Sequence, residues 1–124
     1  MSIRPKAIRW LKSNYGDVSG TICTSKFYQP KESWTNNCVW WLEIPLSKLS
    51  DTKGEIHFIC QILPNKEEYY YLKIPVNYFI ELLSELKILN SKKISLFLSA
   101  ESKNMFQDER GFGKVHFNKF LVNG

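Results

Sequence analysis

Three stretches of the chain, 38–44, 55–63 and 68–74, alternate with a period of two, and in each the residues of one parity are apolar or aromatic. Successive side chains on a β-strand point to opposite faces, so strands of this kind have one side that must be buried. The inward rows are Cys38, Trp40, Leu42 and Ile44, then Ile56, Phe58, Cys60 and Ile62, then Tyr70, Leu72 and Ile74. Pro64, Asn65, Lys66 and Glu67 make a short turn-like link, which reads the second and third stretches as a hairpin. The middle of the chain is thereby committed to antiparallel sheet.

Helices are expected on either side of it. Ile3, Ala7, Ile8, Trp10 and Leu11 fall at helical spacing with Pro5 in a tolerant first turn, predicting a helix over 5–14 that stops near Asn14 and Gly16. Pro75 opens a second helix over about 75–88, with Val76, Phe79, Ile80, Leu83 and Leu86 as its apolar stripe. Residues 19–28 and 93–99 read as further strands, 29–37 and 101–113 as polar loops, and 115–122 as either a strand or one helical turn. Residues 41–47 and 71–77 echo each other. Both read as a strand ended by proline, whose fixed φ and missing N–H stop a ladder and start a helix. The expectation is a single α+β domain: an antiparallel sheet of four to six strands, open to curling into a partial barrel, with an N-terminal helix and a second helix at about 75–88.

Composition bounds the function classes. No apolar run approaches the roughly 18–20 residues that span a bilayer, and charges interleave the first residues where a signal peptide would be apolar, so a cytoplasmic protein with no membrane contact is expected. Three cysteines, Cys23, Cys38 and Cys60, are too few, too far apart and odd in number for a disulfide scaffold. The formal charge is +5 and lysine supplies all but three of the 17 cationic residues, the exceptions being Arg4, Arg9 and Arg110. Lysine suits diffuse attraction to phosphate, whereas arginine suits bidentate reading of base edges.

The second parity of the same strands carries the functional lead. Trp41, His57, Ile59, Gln61, Tyr69, Tyr71 and Lys73 mix rings with polar and cationic groups. Aromatic faces stack on unpaired bases while neighbouring lysines hold the phosphates, so a wet face of this kind is a platform for single-stranded nucleic acid. The same residues would equally suit a face covered by the first helix or by the tail. A second aromatic group, Phe27, Tyr28 and Trp34 with Lys26 and Lys31, lies in and beside the 29–37 loop. The basic N-terminal residues Arg4, Lys6, Arg9 and Lys12 are a third candidate for phosphate contact.

Arg110-Gly111-Phe112-Gly113-Lys114-Val115-His116-Phe117 resembles the octapeptide of RNA-recognition domains at seven of eight positions. It departs from it at Lys114, where that family has a base-stacking ring, and too little chain follows for the helix and strand that should come next. The segment is read instead as a glycine-rich basic turn.

No catalytic set, metal site or cofactor is expected. His57 and Cys60 would point to opposite faces of a strand, and no Cys-x-x-Cys pair exists. The leading expectation is non-enzymatic binding of DNA or RNA by Lys26, Lys31, Trp34, Trp41, Tyr69, Tyr71, Lys73, Arg110 and Lys114. The alternatives are a protein-interaction module, such as a small inhibitor or immunity-type partner, and a metal-dependent nuclease built on Glu101-Ser102-Lys103. Either a monomer or a homodimer fits.

Overall fold

A computed structural model of the chain describes residues 3–31 and 36–123. Helix α1 (Arg4–Tyr15) is followed by strands β1 (Thr21–Ser25), β2 (Val39–Pro45), β3 (Glu55–Gln61) and β4 (Tyr69–Pro75). Helix α2 (Val76–Glu81) and strands β5 (Lys87–Leu89) and β6 (Lys93–Ser99) complete the regular structure, with short 3-10 turns between elements. Among the described residues no helix is long and apolar enough to cross a membrane.

The fold is mixed α+β, as the sequence pattern requires, but the strands form two sheets instead of one. β1, β3 and β4 make one three-stranded sheet in that order; β2, β6 and β5 make the other. β2 therefore pairs with β6 and not with β3. β1 lies parallel to β3, the one parallel pairing among the described residues. The chain leaves β1, runs through β2 in the opposite sheet and returns to β3, a crossover long enough to bring two neighbours into the same direction. The two sheets face each other across the apolar rows. Trp40, Leu42 and Ile44 of β2, Phe58 and Cys60 of β3, Leu72 and Ile74 of β4, and Ile94, Leu96 and Leu98 of β6 form one core. Phe106 stacks on Trp40 with ring centroids 5.1 Å apart, and Phe79 and Phe117 close on Phe58.

The two echoing segments do adopt one local solution. Pro45 ends β2 at φ −60°, ψ 136°, and Pro75 ends β4 at φ −61°, ψ 138°. The next N–H donates in each case to the carbonyl just before the partner strand: Leu46 to Lys92 at 2.8 Å and Val76 to Gly54 at 3.0 Å. A helical turn follows both, 3-10 at Leu46–Leu49 and α2 at Val76–Glu81. α2 is shorter than the apolar stripe predicts, because Leu82 leaves helical geometry (φ −108°, ψ 14°), a 3-10 turn follows, and the chain extends at Lys87 to pair with β6. The ambiguous tail contains a 3-10 turn, Asn118–Phe120, and an isolated bridge from Leu121 to Leu72. Val122 N–H then donates to Tyr71 O, and the Asn123 amide grips the outer edge of β4, accepting Tyr71 N–H at 2.6 Å and donating to Tyr69 O at 2.8 Å.

α1 lies across the outer face of the first sheet. Ala7 and Leu11, with Ile3 and Trp10 beside them, pack on Ile59, Tyr69 and Tyr71. The exposure expected for Tyr69 and Tyr71 is thus corrected: they are 1% and 2% exposed, and neither ring has a face for a ligand. The polar residues of that face are consumed internally. His57 Nε2–H donates to Ser19 O at 2.8 Å, which leaves Nδ1 to accept the Tyr71 hydroxyl at 2.7 Å in the neutral ring. Gln61 accepts Phe27 N–H and donates to Lys66 O.

Candidate functional site

Among the described residues no helix packs on the outer face of the second sheet, and its edge strand β2 lies beside β1, the edge strand of the first sheet. The seam between these two edges is joined at one end and open at the other. Tyr28 and Val39 exchange both backbone hydrogen bonds, at 2.9 and 3.0 Å. Next along, the link passes through a hydroxyl, with Trp41 N–H donating to Ser25 Oγ at 2.8 Å. It then passes through a thiol, Cys23 Sγ to Glu43 O at 3.5 Å. Between Thr21 and Pro45 no bond is made. A groove of about 480 Å³ occupies the outside of this widening seam.

Its walls are chemically mixed. Tyr28 and Trp41 supply two rings, 6.3 Å between centroids and inclined at 60°. Arg4 and Lys48 supply positive charge, Thr21 and Thr24 hydroxyls, and Glu43 a carboxylate. Arg4 is anchored by its own Nη1, which donates to Ile22 O at 2.9 Å. Lys26 stands over the Tyr28 ring, its Nζ 4.8 Å from the centroid. The Glu43 carboxylate is paired with Lys93, Nζ to Oε1 at 2.9 Å.

Beyond Trp41 the face is tied down. Trp41 Nε1 and Arg110 Nη1 both donate to Ser95 Oγ, at 3.3 and 2.9 Å, and the Arg110 guanidinium lies 4.6 Å from the Phe97 ring centre. Asp108, with no exposed surface, accepts N–H groups from Phe97, Arg110 and Gly111 at 3.0–3.1 Å and so fastens the 108–111 turn to β6. Burial pushes its carboxyl above the usual carboxylate range, and the three N–H donors pull it partly back.

The structure brings only some of the sequence candidates together. Trp41 lines the groove with Tyr28, and Lys26 sits on that ring; Arg4 of the basic N-terminal group joins them. Lys31 is exposed at the end of the described segment, and Trp34 lies outside the described residues. Tyr69 and Tyr71 are sealed under α1, and Lys73 on the same sheet is paired with Glu55 at 3.6 Å. Arg110 is held on Phe97, and Lys114 is exposed in a turn at φ 47°. Lys48, Thr21, Thr24 and Glu43 were not singled out by sequence. Only a known β1–β2 seam would have grouped them, because they come from two sheets and a 3-10 turn.

Hydrolytic chemistry finds little here. Among the described residues no group of three His, Cys, Asp or Glu side chains stands close enough to hold a metal ion. Glu101, the residue a nuclease reading depends on, accepts Cys38 N–H at 3.1 Å. The thiols are suppressed: burial pushes Cys23 up to about 12 and Cys60 further, and burial with the Glu101 carboxylate raises Cys38. No family model, curated protein or solved structure matches the chain.

Proposed function

We propose that the chain is a non-enzymatic nucleic-acid-binding module that takes a single-stranded segment in the groove between β1 and β2. One observation carries the reading: the groove joins two ring faces, Tyr28 and Trp41, to the cations Arg4 and Lys48 while its carboxylate is neutralised by Lys93. Bases stack on rings at roughly 1–3 kcal/mol each and cations follow the phosphates, so this combination suits a strand whose bases are unpaired. A duplex keeps its base faces stacked inside and offers the rings nothing.

The test is fluorescence anisotropy with labelled oligothymidylate and oligouridylate, single-stranded and duplexed, at about 50 and 200 mM salt. Single strands should bind more tightly than duplex, and affinity should fall steeply as salt rises because phosphate contacts release counterions. Trp41→Ala should weaken binding about tenfold, by the stacking magnitude, and Lys48→Glu should reduce the salt slope. Absence of binding at low salt, or binding indifferent to salt, would sink the reading.

A protein partner is the second reading, and the tied-down part of the second sheet favours it. There the Glu43–Lys93 pair and the Arg110–Phe97 contact make a charge-balanced, partly aromatic surface of the kind found in protein interfaces. Salt-indifferent behaviour together with Trp41-dependent binding to a protein would select it.

A further inference from the structure

We infer that Phe112 is a second stacking residue for a bound single strand, standing across the second sheet from the groove; this rests on the reading of the groove above. Phe112 is 85% exposed, more than any other large apolar side chain described. The turn that carries it is pinned at both ends. Gly111 N–H donates to Asp108 Oδ2 at 3.0 Å, and Gly113 N–H donates to Glu85 O at 3.2 Å. Both glycines press on Glu85 so closely that a Cβ at either position would come within 2.5 Å of it. Only glycine on each side lets the turn lie this flat against α2's exit, and the result is a ring held out in water by a braced support. A ring that merely failed to find the core would not need such bracing.

The surroundings decide what the ring is for. Its chain neighbours are glycines, with Arg110 and the exposed Lys114 next, and Lys87 lies exposed opposite Ser95 on β5. Glu85 at the foot of the turn is an exposed acid; Glu109 is occupied by Asn104 and Gln107. A protein hot spot is ringed by further apolar contacts that exclude water. A stacking ring needs one open face and nearby cations, and that is what the turn presents.

The contacts that link its turn to the groove run through one buried hydroxyl. Trp41 and Arg110 meet on the Ser95 hydroxyl, and Phe112 follows Arg110 by two residues. With strands spaced about 4.8 Å, β2 and β5 stand roughly 10 Å apart, and the turn that carries Phe112 is fastened to Glu85, two residues before β5 begins. At about 3.4 Å per stacked nucleotide, a strand of about 4 nucleotides, the shortest site size of single-strand binders, spans only about 10 Å between its end bases, so a stacked strand reaching both rings has to be longer.

Length separates the two rings experimentally. Labelled oligothymidylates of about 4 and about 12 nucleotides would be titrated against wild type, Trp41→Ala, Phe112→Ala and Phe112→Tyr. Phe112→Ala should lose about tenfold on the longer probe and nothing on the shorter, Phe112→Tyr should retain affinity, and Trp41→Ala should lose on both. Because the ring is in water, melting curves of the Phe112 variants should superimpose on wild type. A longer-probe affinity for Phe112→Ala within about twofold of wild type, while Trp41→Ala still loses, overturns the inference and leaves the groove standing. Loss with Phe112→Ala but none with Trp41→Ala overturns the groove and leaves Phe112. No binding by wild type overturns both.

Discussion

The outer faces of the two sheets are built from the same kinds of residue and end in opposite states. On β1–β3–β4 the rings Tyr69 and Tyr71 lie beneath α1, and His57 and Gln61 on the same face are hydrogen-bonded within the chain. On β2–β6–β5 Trp41 and Phe97 have no helix above them, and a guanidinium and a turn serve as partial cover. Strand alternation is blind to this difference. What separates the faces is the apolar stripe Ile3, Ala7, Trp10, Leu11, which fits one sheet; on the other, Ser95 and Phe97 are buried without a helix and Trp41 stays half-buried.

The contrast can be broken by unseating the cover. Leu11→Ala should cost about 2–5 kcal/mol in urea unfolding, since the side chain is fully buried against Tyr69 and Tyr71. A cost under about 1 kcal/mol would show that the helix is not what dries that face. Removing the lesser cover of the other face should cost less. Asp108→Ala frees three N–H groups and should destabilise by roughly 2–3 kcal/mol, measured the same way. Asp108 also leaves a pH signature. Its raised folded value means that the folded chain holds this proton more tightly than the unfolded chain. The group therefore favours folding at acid pH, and that advantage disappears as pH rises through the raised value. Asp108→Asn, which has no such proton, should lack that component in unfolding curves taken across the acid range.

Tyr71→Phe sharpens the comparison from the sealed side. It removes the hydroxyl that His57 Nδ1 accepts, leaving a buried ring nitrogen without a partner, and should cost about 1–2 kcal/mol by thermal melting. The smallest effect is expected at Lys73→Ala. Its pair with Glu55 is largely in water, side chains 48% and 41% exposed, so melting should shift by no more than about 0.5 kcal/mol.

The inward rows were legible from sequence because burial on one side of a strand writes a period of two. Trp40, Leu42, Ile44, Phe58, Leu72 and Ile74 all lie in the core they were assigned to. Partnership between strands leaves no such mark. Nothing in 38–44 distinguishes pairing with 55–63 from pairing with 93–99, and placing Trp41 beside Tyr69 and Tyr71 followed from assuming one sheet. The proline exits at Pro45 and Pro75 were readable because φ is fixed by covalent chemistry. The groove was not, since Arg4, Thr21, Trp41 and Lys48 converge only through packing of distant segments. The turn around Phe112 lay between: its glycines announced a bend, but not the close contact with Glu85 that braces it.

Asn123 bears on how many molecules of this chain can share a solution. β1 and β2 turn their edges toward each other, and β5 offers three residues, so among the described strands β4, seven residues long, is the one long margin facing outward. An uncovered margin of that length is a template on which a second molecule could crystallise its own backbone. By spending both ends of its amide on Tyr69 and Tyr71, Asn123 makes that template unreadable. A chain ending at Phe120 should keep its sandwich yet seed thioflavin-positive fibres on standing, whereas the intact chain should stay clear.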